Sequence, residues 1–377
     1  MAIGRRRVWP VVLATACLLT AAASGDAGGG SLQGPLPPQA AVSALQRQMR
    51  ADVEMAIRLA LQSGDAKSAL DSYDRYFASV RAHDPVLLAS VARVVLTAIA
   101  PDRASPAHVL ALERLAGAGD ARARSSLGEM AGGSNTLMLQ GVEADSALAR
   151  LGDLPAVDRL IRRLADDTIR DKGGIVDVLI AAQARRAAFA IVALLGDENP
   201  FNRMAAARGL ASLGSPEHVP QLRDALERET EGPVKPMLAV ALKSLGSAVA
   251  DARIAQFGAS PVSDVRLLVV EAYYNARLPQ WPGLARQLLR TGSEGTRLRA
   301  AELLGDSDEG ARREIGKAAT SANLPTREIG AKLLESTGSR DLAVLATLLR
   351  DTSPVARTYA AGALLAAARP ATPRPRL

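Results

Sequence analysis

The stretch Asp197-Glu198-Asn199-Pro200-Phe201-Asn202-Arg203-Met204-Ala205-Ala206-Ala207-Arg208-Gly209-Leu210 reads as a turn feeding one helix. Acid and amide side chains offer caps, proline suits the first helical turn, and an Ala-rich stripe follows. The layout then recurs. Arg203 has counterparts at Lys172, Lys235, Arg266, Arg297, Arg327 and Arg357, and the seven stand at intervals of 31, 32, 31, 31, 30 and 30 residues. Four residues after each comes a Val or Ala (Val176, Ala207, Ala239, Val270, Ala301, Ala331, Ala361). Seven after comes a large apolar residue (Leu179, Leu210, Leu242, Tyr273, Leu304, Leu334, Leu364). Positions +4 and +7 share one helical face. A period of this length predicts an all-α solenoid, an α-α superhelix of stacked units.

Punctuation agrees with period. Gly152-Asp153, Gly196-Asp197 and Gly305-Asp306, with Gly214-Ser215, Gly246-Ser247 and Gly338-Ser339, each place a glycine suited to a helix end directly before a capping residue. First helices are predicted over 156–164 and 219–226. Acid-and-proline turns such as Asp351-Thr352-Ser353-Pro354 lead into the second helices.

The regular array is predicted over 151–368. Upstream, 42–150 reads as less regular helical hairpins, with helices over 87–100 and 106–116 and a Gly-rich stretch at 117–135. Residues 24–41 read as a Gly- and Pro-rich linker, and 369–377 as a Pro/Arg tail. Ala and Leu dominate while aromatics make up 3% of the chain. Such a core packs helices closely through small side chains.

The formal charge of +7 falls to +1 without Arg5, Arg6, Arg7, Arg369, Arg374 and Arg376 at the two ends. A near-neutral body offers no nucleic-acid footprint. Arg5-Arg6-Arg7, the apolar run Val8 to Ala23 and Ala21-Ala22-Ala23 have the three-part design of a signal peptide over 1–23. That predicts a periplasmic or secreted protein with no membrane span in the mature chain, because the run is 16 residues long and holds Pro10. The alternative is a lipoprotein. Leu13-Ala14-Thr15-Ala16-Cys17 resembles a lipobox, which would place a lipid anchor on Cys17, the only cysteine.

Two stretches carry further resemblances. The units from Asp197 to Leu210 and from Asp351 to Leu364 resemble HEAT repeats of the short type named after phycobilisome lyases, and the resemblance extends over about 151–368. It implies a superhelix whose second helices line a concave surface, and a protein that binds other proteins. Residues 51–79, with Gly64-Asp65 at their centre, resemble one tetratricopeptide hairpin, or serve as an ordinary helical cap for the stack.

Candidate chemistry is sparse. The basic ladder reads either as an anion track or as a set of structural pairs with Asp171, Asp197, Glu231, Asp264, Glu294 and Asp351, and the HEAT resemblance favours pairing. His83, His108 and His218 show no metal or triad spacing, and His218 reads as solvated at a helix start. The iron-binding HEAT hydroxylases use repeated His-Glu pairs, which this chain lacks. The run from Gly310 to Lys317 has one residue too many for a phosphate loop and no preceding strand. Asp306-Ser307-Asp308-Glu309 suits a helix cap better than calcium. No catalytic, cofactor or metal residue is therefore assigned.

Positions +1, +5 and +8 share another helical face and vary in type, as a recognition surface would and as any solvated face does. From them come Arg208, Lys243, Glu271, Tyr274, Glu302 and Lys332 as partner-binding candidates, joined by Trp281 between Pro279 and Pro282. The expected function is a non-catalytic scaffold or adaptor for a protein partner in the bacterial envelope. The alternative is an enzyme on the same scaffold, lyase-like or hydrolytic, with no identifiable catalytic constellation.

Overall fold

A computed structural model describes residues 39–132, 138–232 and 234–368. The expected leader, Cys17 and the terminal tail lie outside the described residues. The chain divides into Met1–Gln48 and Met49–Leu377. Among the described residues every regular element is helical.

Helix α1 (Gln39–Ser63) crosses that division and begins inside the expected linker. It is followed by α2 (Ala66–Val80), α3 (Pro85–Ile99), α4 (His108–Gly117), α5 (Ala121–Gly132), α6 (Met138–Arg150) and α7 (Leu154–Leu164). Then come α8 (Gly173–Ala181), α9 (Ala188–Ala193), α10 (Pro200–Leu213), α11 (Val219–Arg228), α12 (Val234–Ser244), α13 (Asp251–Gly258) and α14 (Ser263–Asn275). The last are α15 (Trp281–Thr291), α16 (Glu294–Leu304), α17 (Glu309–Ala319), α18 (Leu324–Ser336), α19 (Leu342–Leu348) and α20 (Pro354–Ala367). The Gly-rich stretch after Gly117 thus contains a helix, α5.

The stripe read from the sequence is the core. Val176, Ala207, Ala239, Val270, Ala301, Ala331 and Ala361 are all buried, as are the +7 leucines, while Tyr273 is half-buried. Small side chains let successive second helices approach closely, and α8, α10, α12 and α14 pack in series. Four of the six punctuating glycines (Gly152, Gly246, Gly305, Gly338) are left-handed, with φ between 71° and 82°. Gly214 is not. It is extended at φ −70°, and its helix ends instead on a hydrogen bond to the Leu210 carbonyl. Capping shifts by up to two residues in places: Asn199 rather than Asp197 caps α10, Asp308 rather than Asp306 caps α17, and Asp341 rather than Ser339 caps α19.

The ladder is structural, with partners other than some of those expected. Arg203, Arg266, Arg327 and Arg357 each donate through Nη1 to the two carbonyls five and six residues upstream, which ties each second helix to the turn before it. Arg203 also pairs with Glu229 at 2.8 Å rather than with the Asp197 carboxylate, and Arg297 with Glu314 at 2.6 Å rather than Glu294. Asp351 accepts from Arg327, and Asp197 lies 3.8 Å from Lys172. Asp264 turns to Ser293 and Thr296 of the next unit, and Asp171 caps Gly173.

The array closes on itself. From α14 the series continues through α16, α17 and α18 to α20, and α20 then packs on α3, which leads through α4 and α6 back to α8. Helix α3 explains this closure. It buries Leu87, Leu88, Ala89, Val91, Ala92, Val94, Val95, Leu96 and Ile99, so it is apolar nearly all round and needs neighbours on several sides. The two ends of the array cap one another, where an open stack would need separate polar caps.

Candidate partner-binding surface

Position +5 of the second helices carries Asp177, Arg208, Glu271, Glu302 and Lys332 away from the buried stripe, while Val240 and Gly362 at the same position are buried. Position +1 does not belong to this face as expected, because Leu298 and Thr358 are buried. Asp177 and Arg208, in equivalent places on α8 and α10, pair across one junction at 2.7 Å. Glu271 on α14 accepts from Arg299 on α16 at 2.7 Å, and Arg299 also reaches Glu302 at 2.6 Å. Partial burial works against the Arg299 charge. The two carboxylates, Glu271 first, more than offset it and hold the guanidinium more firmly protonated than usual. Lys332 is exposed on α18.

Tyr274 and Trp281 meet. Tyr274 stands on the last turn of α14, 43% exposed. Trp281 is the first residue of α15 rather than a turn residue, and half-buried. Their rings make an edge-to-face contact with centroids 5.1 Å apart, a favourable geometry for two quadrupoles. Lys243 belongs elsewhere on the surface, pairing with Asp251 at 2.6 Å at the α12–α13 turn.

Sequence reasoning missed Arg299, which sits at +2 rather than +5 or +8. Its spacing of three from Glu302 was a usable signal for a helical ion pair. It also missed the charges where the ends meet. Arg114 on α4 reaches Glu335 on α18 at 2.6 Å and Glu113 at 2.9 Å, and lies 5.8 Å from the Tyr359 ring centroid. Arg150 joins Glu113 at 2.8 Å, and Arg350, two residues past the end of α19, pairs with Asp74 on α2.

Each histidine is engaged in local packing and hydrogen bonds. His218 is buried, not solvated: its Nδ1 accepts from the Ser215 amide at 3.1 Å and its ring tilts against Phe189 at 5.6 Å. His108 is buried and bonds the Ala100 carbonyl through Nδ1 at 2.6 Å. His83 stacks on Phe77 at 4.3 Å and faces the Tyr73 hydroxyl at 3.1 Å. Burial pushes the Tyr73 hydroxyl up to about 12, so it stays protonated at neutral pH and cannot serve there as a base. Among the described residues no three His, Cys, Asp or Glu side chains are grouped to hold a metal, and no helix is long and apolar enough to cross a membrane. Asp308 caps α17 and pairs with Arg286 at 2.8 Å, which accounts for the acidic turn.

Residues 157–243 and 187–273 match the sequence profile of HEAT repeats. No curated protein matches the chain. Among solved structures, human deoxyhypusine hydroxylase in complex with glycerol is 19% identical, with a TM-score of 0.35, over 70% of this chain and 99% of that one. That likeness is too distant to bear on function.

Proposed function

We propose that this HEAT-repeat protein is a non-catalytic scaffold of the bacterial cell envelope that binds a protein partner. The observation that carries the reading is the Tyr274–Trp281 pair. Two rigid aromatics, from a chain with 3% aromatic residues, share one surface position close to the Glu271–Arg299–Glu302 cluster. Rigid aromatics beside charge are the usual anchors of an interface. HEAT repeats commonly serve protein recognition, and the Arg5 to Ala23 leader supports export. Of the remaining candidates, Arg208 pairs with Asp177, Lys332 is exposed on α18, and Lys243 lies elsewhere on the surface.

The test is affinity capture from envelope extracts by the mature protein, with mass spectrometry of what is retained. Replacing Tyr274 and Trp281 together by Ala is expected to weaken retention of a specific protein at least about tenfold, roughly 1.4 kcal/mol, with helicity unchanged. Unaltered retention would place the contact elsewhere, and recovery of the intact chain with its leader from the cytosol would defeat the envelope assignment.

A further inference from the structure

We propose that one edge of the array, formed by the turns that enter α7, α9, α13 and α15, docks on an anionic lipid bilayer. This goes beyond the binding of a protein partner and does not depend on it.

Packing defines the edge. Second helices lie side by side in one register: Asp177 meets Arg208 at equivalent places on α8 and α10, and the Lys172 amide donates to the Asn202 side chain at their starts. The turns that leave the second helices therefore share one edge, and the turns that enter them share the other. Apolar side chains stand along the exit edge. Leu154 opens α7, Phe189 is the second residue of α9, Val249 lies two residues before α13, and Trp281 opens α15. Neighbouring turns touch. Arg186 donates to the Leu154 carbonyl at 2.8 Å, and the Phe189 ring lies 5.6 Å from that of His218 at the entry to α11. Phe189 is 76% exposed and Val249 60%. Large apolar residues that project one per unit suit a flat surface they can enter, with Trp281 and Tyr274 at the depth where aromatic rings favour a bilayer interface.

Charge selects the kind of surface. Arg185, Arg253 and Arg277 each lie four residues from Phe189, Val249 or Trp281, and all three are exposed with no ion-pair partner among the described residues. Acids on the same turns are engaged, Asp158 by Arg186, Asp251 by Lys243 and Glu217 by the Ser215 hydroxyl. Unpaired arginines beside apolar anchors match anionic headgroups. Arg277 adds an independent sign. It is left-handed at φ 55°, two residues past the end of α14, where Gly152, Gly246 and Gly338 follow α6, α12 and α18. Holding arginine where glycine fits best is a local strain of the kind found at functional positions. Apolar residues project from the other edge too, but Phe201 and Val262 there stand beside Glu198 and Asp264, which an anionic surface repels. The row ends before α17, whose entry turn carries Asp306 and Asp308.

Vesicle binding tests the edge. Removing residues 1–23, which lie outside the compact unit Met49–Leu377, also removes Trp9 and leaves Trp281 as the sole tryptophan. Phosphatidylglycerol vesicles are expected to shift Trp281 emission to the blue, brominated acyl chains to quench it, and the protein to sediment with them at least tenfold more than with phosphatidylcholine vesicles. Phe189→Ser with Val249→Ser should lower that sedimentation at least tenfold, as should Arg185→Glu with Arg253→Glu, while Phe201→Ser on the opposite edge leaves it unchanged. Should the serine pair unfold the chain, the arginine pair still decides. No sedimentation with anionic vesicles, unquenched Trp281, or an equal loss in Phe201→Ser would overturn the proposal. So would a row that proves to be a protein contact, with a captured protein lost in the serine pair and vesicles bound by no form. Capture from detergent extracts, free of vesicles, by the Tyr274 and Trp281 variant tests the protein partner separately.

Discussion

The Arg203–Glu229 pair shows how one ladder residue ties two units together. The Arg203 side chain is 16% exposed and that of Glu229 is 5% exposed. Hydrogen bonds from Arg203 hold the Glu229 carboxyl below the usual carboxylate range, against the opposing effect of burial. A depressed carboxylate stabilises the fold above its unfolded value of about 4.3 and loses that contribution as pH falls through the folded value. Urea titrations of Glu229→Gln are expected to show a loss of about 1–3 kcal/mol at pH 7 and a shallower decline than the parent between pH 5 and 3. Parallel pH profiles for variant and parent would deny the pair this role. The regular spacing of the basic residues was plain in the sequence. Their partners were not, because Glu229 and Glu314 lie in the following unit at distances that change from one unit to the next.

At the scale of elements, helix phase was legible because +4 and +7 repeat, and α3 announced itself as Pro85-Val86-Leu87-Leu88-Ala89-Ser90-Val91-Ala92, apolar with little polar face. Helix packing distances were less so. Gly330 on α18 lies against the backbone of Ala318 and Ala319 on α17, so closely that a Cβ would overlap it. Backbone cannot rotate away as a side chain can, and the close approach of these two helices depends on glycine. Gly330→Ala is therefore expected to cost about 3 kcal/mol or more, at the upper end of overpacking penalties, whereas Gly316→Ala, on the same α17 with open space around it, is expected to be neutral or stabilising. Thermal denaturation of the two variants decides this, and equal melting temperatures would contradict the packing.

For the whole molecule, the repeat period predicted a stack but carried no information about curvature. Curvature accumulates from small rotations at each junction, and the contact that reveals it joins α3 to α20, far apart in sequence. The candidate surface shared that fate. Tyr274 and Trp281 could be named, yet their ring contact, and Arg299 between Glu271 and Glu302, depend on turns whose geometry the period does not contain. Closure is the central claim, since it sets which residues face inward and makes the ends cap each other. Spin labels on Ala78→Cys and Thr347→Cys, with Cys17 replaced by Ser, measure it directly, because both positions are exposed beside the junction. The account predicts a single distance distribution within roughly 30 Å, a few helix layers, and a distribution centred near about 70 Å, the length of an open stack of seven units, would contradict it.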